Sequence, residues 1–170
     1  MGINESFNNL LFGTYDLNVD TSGRFILPID YRRNFKNGCF LMKGVGCIWL
    51  MPSEYFAKVL EQLRTNSANP LLDIFNKDRV AIVRHIMSGL TECNPQTDKN
   101  WRISISTELK NYSGIGSAVK LFGIGDYIEI WEPKSWGSVN EVLKNDAIQM
   151  IGENLFNPLS GINSVEVENK

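Results

Sequence analysis

The sequence predicts an α+β fold, mainly β, in which one unit of about 50 residues is used twice, with helices between and after the copies. A short pattern occurs at two places 78 positions apart, Asp20-Thr-Ser-Gly-Arg24-Phe-Ile-Leu-Pro28 and Asp98-Lys-Asn-Trp-Arg102-Ile-Ser-Ile-Ser106. In each copy an acid precedes an arginine by four, a strand-like apolar stretch follows, and a basic residue returns eight positions on, at Arg32 or Lys110. The likeness continues downstream, with Cys39-Phe-Leu-Met-Lys43-Gly44-Val-Gly46 and Ile48-Trp-Leu-Met51 answered by Val119-Lys-Leu-Phe-Gly123-Ile-Gly125 and Tyr127-Ile-Glu-Ile-Trp131. Each half reads as hairpin loop, strand, short polar helix, strand, Gly-x-Gly turn, strand and helix.

Taken in order, residues 1–11 are Asn-rich and polar and are expected to form a flexible arm. The first repeat spans 12–64 and closes with a helix from Ser53 to Arg64, whose Phe56, Val59, Leu60 and Leu63 share one face. Residues 65–89 join the copies: Thr65 to Pro70 is a polar linker ended by proline, and 71–88 read as a bridging helix with Leu72, Phe75, Val80, Val83 and Met87 inward, stopped by Gly89. The second repeat covers 90–156, including a final helix from Ser135 to about Phe156. Residues 157–170 are small, polar and acidic, a composition expected to be disordered.

Composition narrows the class. The 170 residues are 43% hydrophobic, enough for a packed core, and no run of 18 apolar residues is present. The N-terminus lacks the basic and apolar segments of a signal peptide, so a cytoplasmic protein without membrane partners is expected. Cys39, Cys47 and Cys93 have no Cys-x-x-Cys spacing and are read as reduced, Cys39 and Cys93 in or beside strands. The formal net charge is −2. However, Glu5, Glu141, Asp146, Glu153, Glu166 and Glu168 outnumber Lys144 and Lys170 outside residues 12–136, which leaves the repeated core at +2. From Arg24 to Lys43, the cations Arg24, Arg32, Arg33, Lys36 and Lys43 stand against Asp30 alone, so the first repeat is the basic one.

The loops can be argued from their chemistry. An aspartate opening a turn bonds backbone N–H groups two residues on, and glycine supplies the positive φ that closes a tight hairpin. Arg24 then sits at the base of a projecting loop, where a guanidinium can grip a phosphate or the O6/N7 edge of guanine. Thr21 and Ser22 at the tip add hydroxyls. A single such loop could be a mere surface turn with an ion pair, but two in register favour a presented binding loop. In the second copy Lys99 and Asn100 occupy the tip and Trp101 stands in place of Gly23. Trp is poorly suited to positive φ, so a turn shifted to Asn100 is expected, and Arg24 is expected to matter more than Arg102. Trp101 packs on a neighbouring subunit, covers its own unit's core, or meets DNA. Arg32, Arg33 and Lys36 form either a solvated helix face or a surface that steers a nucleic-acid backbone.

No catalytic, metal or cofactor constellation emerges. The Gly-x-Gly turns lack the third glycine of a dinucleotide fingerprint, and the single histidine, His85, has no ligand cluster and is read as a packing or capping residue. Neither an enzyme nor a small-molecule substrate is expected.

The segment Phe12-Gly-Thr-Tyr-Asp-Leu-Asn-Val-Asp20-Thr-Ser-Gly-Arg24-Phe-Ile-Leu-Pro28 with Tyr31-Arg32 resembles the opening of the MraZ transcriptional regulators. Ser88-Gly-Leu-Thr-Glu-Cys93, Leu121-Phe-Gly-Ile-Gly125 and Ile128-Glu-Ile-Trp131 extend the resemblance over roughly residues 10–145. It implies two SpoVT/AbrB-like swapped-hairpin units forming an intertwined, pseudo-symmetric body, with chains assembled into a homo-oligomeric ring. It further implies a nucleoid-associated regulator that binds double-stranded DNA at promoter direct repeats upstream of the division and cell-wall gene cluster, usually repressing it. The implied DNA-binding residues are Asp20, Thr21, Ser22, Gly23, Arg24 and Arg32, with Asp98, Lys99 and Arg102. The alternative is a protein-interaction or antitoxin-like module of the same fold with reduced DNA binding.

Overall fold

A computed structural model describes residues 10–65, 76–141 and 144. Among them the first compact unit, which extends to Pro133, forms eight strands. The first repeat supplies β1 (Thr14–Asn18), β2 (Arg24–Ile26), β3 (Cys39–Lys43) and β4 (Ile48–Pro52); the second supplies β5 (Thr91–Cys93), β6 (Arg102–Ser104), β7 (Ala118–Gly123) and β8 (Ile128–Trp131). Helices α1 (Ser53–Thr65), α2 (Lys77–Met87) and α3 (Thr107–Ser113) join them, with 3₁₀ segments at Ile29–Phe35 and Pro95–Thr97.

Six strands form an antiparallel sheet in the order β1-β7-β8-β4-β3-β5, and β2 pairs with β6 as a separate ribbon. The first strand of each repeat leaves its own copy: β1 pairs with β7, and β5 with β3. The last strands, β4 and β8, meet in the middle. This is the α+β, mainly antiparallel, two-repeat body that the resemblance implied.

Period-two alternation sorts the side chains of β3 and β4 onto two faces. Leu41, Ile48 and Leu50 join one buried cluster with Phe25, Leu27, Tyr31, Phe35, Ile103, Ile105 and Leu109. Met42 and Met51 join a second cluster with Phe56, against which Phe40, Trp49, Val59, Leu60 and Ile86 pack. The β2–β6 ribbon, the 3₁₀ segment Ile29–Phe35 and α3 therefore cover one face of the sheet, and α1 and α2 cover the other. The ribbon is fastened to the sheet by burial of its inward pair, Phe25 and Ile103, which lie directly opposite each other. Tyr31, whose hydroxyl donates to the Gly13 carbonyl at 2.9 Å, ties the 3₁₀ segment to the entry of β1.

Several expectations change. Leu11, placed with the arm, is buried and bonded to Gly125 through both its N–H and its carbonyl. Helix α2 begins at Lys77, and Met87 is exposed while Ile86 packs inward, because Val83, Ile86 and Leu90 make the apolar stripe at three- and four-residue spacing. Leu72 and Phe75 lie outside the described residues, as do residues 1–9. The short polar helix is α-helical only in the second copy, where Ser106 accepts from the Leu109 N–H at 3.3 Å; Pro28, its counterpart, makes no side-chain cap, and that segment stays 3₁₀. Gly114 is the left-handed C-cap of α3, whereas Gly44–Gly46 and Gly123–Gly125 are the expected hairpin turns.

Cys39 and Cys93 face each other across β3 and β5 as free thiols, their sulfurs 2.9 Å apart. The hydrogen bond with the Cys93 thiol beside it, and then burial, hold the Cys39 thiol far above the ordinary cysteine range, in the protonated form. His85 has the expected packing role: its Nε2 lies 3.2 Å from the Gly44 carbonyl and its ring meets Tyr112 edge-on. Residues 133–141 are helical, two residues earlier than Ser135, and a second compact unit starts at Lys134; most of the rest of the expected helix and the acidic tail are outside the described residues. No helix among the described residues is long and apolar enough to cross a membrane.

Because Phe25 is fully buried and joins the ribbon to the sheet, Phe25→Ala is expected to cost about 3–5 kcal/mol of stability. Denaturant unfolding measures it; a loss below about 1 kcal/mol would contradict this role.

Candidate nucleic-acid interface

The two Asp-x-x-x-Arg loops sit at opposite ends of the β2–β6 ribbon. The ladder extends past the strands proper, with Ile105 N–H donating to Gly23 O and Leu27 N–H to Trp101 O, both at 2.9 Å. Residues 23–27 thus run against 101–105, and the Phe25–Ile103 pair is the centre about which one loop maps onto the other.

In the first loop Asp20 does three things at once. Its Oδ1 accepts from the N–H groups of Ser22 and Arg24 at 2.9 Å, and its Oδ2 accepts from Arg24 Nε at 2.9 Å with a second guanidinium nitrogen also at 2.9 Å. Gly23 closes the turn with φ +76° and donates to Asp20 O. A Cβ there would stand 3.1 Å from Ile105 O, so glycine is required both by conformation and by the neighbouring strand. Thr21 and Ser22 are exposed at the tip.

The second loop repeats this wiring. Asp98 Oδ1 accepts from Asn100 N–H at 2.8 Å and Oδ2 from Arg102 Nε at 2.7 Å, and Trp101 N–H donates to Asp98 O. The turn is not shifted to Asn100: Trp101 itself takes φ +55°, the only non-glycine with positive φ among the described residues. Left-handed backbone costs a side-chain-bearing residue roughly 1–2 kcal/mol. Two contacts offset it. The indole packs on the main core cluster, and the Arg32 guanidinium lies over the ring, 5.7 Å from its centroid. Trp101 therefore covers its own body's core.

Arg32 and Lys110, the basic residues eight positions after each arginine, each reach the other copy's loop. Arg32 donates from Nε to Leu27 O and lies on Trp101. The Lys110 side chain runs 3.5 Å from where a Gly23 Cβ would be. The sequence showed Lys110 as part of the repeat but not its place at the opposite loop, since that depends on the strand swap. Arg33 and Lys36 are exposed, and Lys99 is exposed at the second tip.

Four cations thus stand at the two loops, Arg24 and Arg102 on the aspartates, Arg32 over Trp101 and Lys110 beside Gly23. The side chains of Arg24 and Arg102 retain 35% and 33% exposure, so both are clamped at one edge and open to solvent at the other. The backbone and side-chain hydrogen bonds from Arg24 hold the Asp20 carboxyl below the ordinary aspartate range. Arg102 does the same for Asp98, with Asn100 N–H and the more distant charge of Arg24 adding to it. Such an arrangement presents prearranged guanidinium groups to an anionic partner; among the described residues no cluster of His, Cys, Asp and Glu could hold a metal ion.

The family model described as "MraZ protein, putative antitoxin-like" matches residues 10–76 and 86–154, one segment per repeat. Among similar proteins, a transcriptional regulator MraZ of Halothermothrix orenii is 31% identical over 75% of this chain and 85% of its own length. That of Bifidobacterium longum is 30% identical over 76% of this chain and 81% of its own. That of Desulforamulus reducens is 26% identical over 88% of this chain and its full length.

Each carboxylate whose value is held down supports its loop fully above the ordinary aspartate range and loses that support as pH falls through the lowered value. Carboxyl-carbon NMR titration is expected to find Asp20 and Asp98 titrating below a free aspartate, and Arg24→Ala is expected to raise Asp20 strongly and Asp98 slightly. Midpoints at or above the ordinary value would contradict the clamp geometry.

Proposed function

The chain belongs to the MraZ family, and on that premise we propose that it is a sequence-specific DNA-binding transcriptional regulator. It works in the cytoplasm, associated with the nucleoid, as a repressor of the division and cell-wall gene cluster that includes its own gene. The observation that carries this reading is the pairing of β2 with β6, which sets two arginine-bearing loops on one ribbon with Arg32 and Lys110 beside them.

A two-stranded antiparallel ribbon fits the major groove of B-DNA. Asp20 and Asp98 occupy one edge of each guanidinium and leave the other N–H groups for a phosphate or for guanine O6/N7. The clamp removes rotamer freedom before binding, so less is lost when DNA arrives. Thr21, Ser22 and Lys99 at the tips, and the Gly23 turn, complete the contacting surface. One ribbon neutralises few phosphates and binds weakly. Several ribbons on a homo-oligomeric ring act at high effective concentration on tandem promoter repeats. The antitoxin-like alternative expects neutral loops, and the four cations gathered here weigh against it.

The test is a footprint over the DNA upstream of the protein's own gene. Wild type is expected to protect a segment with tandem repeats, to bind a single-repeat duplex far more weakly, and to lose affinity with salt at about 0.9 log units per neutralised phosphate. Because each arginine is held by its own loop aspartate and keeps about a third of its side chain exposed, Arg24→Ala and Arg102→Ala are each expected to lower affinity tenfold or more. Equal binding to one and several repeats, or variants that bind as wild type, would contradict the proposal.

A further inference from the structure

The outward face of the β2–β6 ribbon carries four side chains: Arg24 opposite Ser104, and Ile26 opposite Arg102. The centre at Phe25–Ile103 maps Arg24 onto Arg102 but Ile26 onto Ser104, so the two ends of the ribbon are chemically unlike. Ile26 is 53% exposed, a large apolar side chain among cations on the surface that the DNA-binding reading turns toward the duplex. Its inward neighbours Phe25 and Leu27 are buried and hold the strand in register, so Ile26 cannot turn into the core without moving both.

On the edges of base pairs in the major groove, the apolar group is the C5-methyl of thymine. We infer that Ile26 contacts a thymine methyl beside the base read by Arg102, and that this contact gives each chain a direction along the DNA. The inference rests on the DNA-binding reading. Directly opposed residues in an antiparallel pair lie about 4.5–5.5 Å apart, and successive bases on one strand about 3.4 Å, so Ile26 and Arg102 fall on the same or neighbouring base pairs. Isoleucine is stiff at χ1, so ordering it costs little. Arginine with a hydroxyl at one end and arginine with a sec-butyl side chain at the other make a reader with a direction, which suits direct repeats and would disfavour a palindrome.

The experiment uses the full chain and the duplex protected in the footprint, with thymines in each repeat replaced singly by deoxyuridine, which removes the methyl and keeps O4. At one thymine position per repeat, wild type is expected to bind the deoxyuridine duplex about fourfold more weakly for each repeat engaged. Ile26→Ser is expected to lose a similar factor on the thymine duplex and to bind both duplexes equally; Ile26→Val should keep part of the discrimination. Wild type binding all duplexes equally while Arg24→Ala still weakens binding would overturn the role of Ile26 and leave the DNA reading standing. An undiminished thymine preference in Ile26→Ser would assign the methyl to another residue and also overturn it. Absence of any protected segment would overturn both.

Discussion

The backbone ladder between β2 and β6 is the constraint on which the rest depends. It joins a strand from each repeat, so neither loop is positioned without the other copy. Phe25 and Ile103 secure the ladder to the sheet, and the sheet itself is interleaved, each repeat lending its first strand to the other. Loop geometry, the crossing of Arg32 and Lys110, and the two-faced core all follow from that exchange. A single repeat would leave β1 and β5 without partners and the ribbon as an isolated strand.

Within this frame the loops trade local strain for order. Asp20 and Asp98 spend their lone pairs on backbone N–H groups and on one edge of an arginine, which fixes the turn and the guanidinium together. The second loop shows how far the design tolerates change. Trp101 accepts the left-handed conformation that Gly23 adopts freely, and its indole supplies buried contact and a surface for Arg32 in return. The outcome is two loops that share the aspartate–arginine clamp but have different tips, Thr21-Ser22 against Lys99-Asn100.

Much of this was legible in the residues. The repeated Asp-x-x-x-Arg spacing marked both loops, the apolar runs Cys39–Met42 and Ile48–Met51 marked strands, and the helical stripe of Phe56, Val59 and Leu60 marked α1. What was not legible depends on contacts far apart in sequence. Local sterics alone disfavour positive φ at Trp101, and the Arg32 side chain that covers it comes from the other repeat. Lys110 looked like a periodic echo until the swap brought it to Gly23. Helical spacing alone puts Met87 inward with Val80 and Val83, whereas the packing of α2 on β3 selects Ile86.

In the proposed function both loops of one ribbon meet the same duplex. Site-specific photocrosslinking tests it most directly, with a benzoylphenylalanine placed at Ser22, at Lys99, or at Lys58 on the exposed side of α1, in the presence of tandem-repeat DNA. Crosslinks are expected from both tips and none from Lys58. Crosslinks from Lys58 with none from Ser22 and Lys99, or from one tip alone, would contradict it.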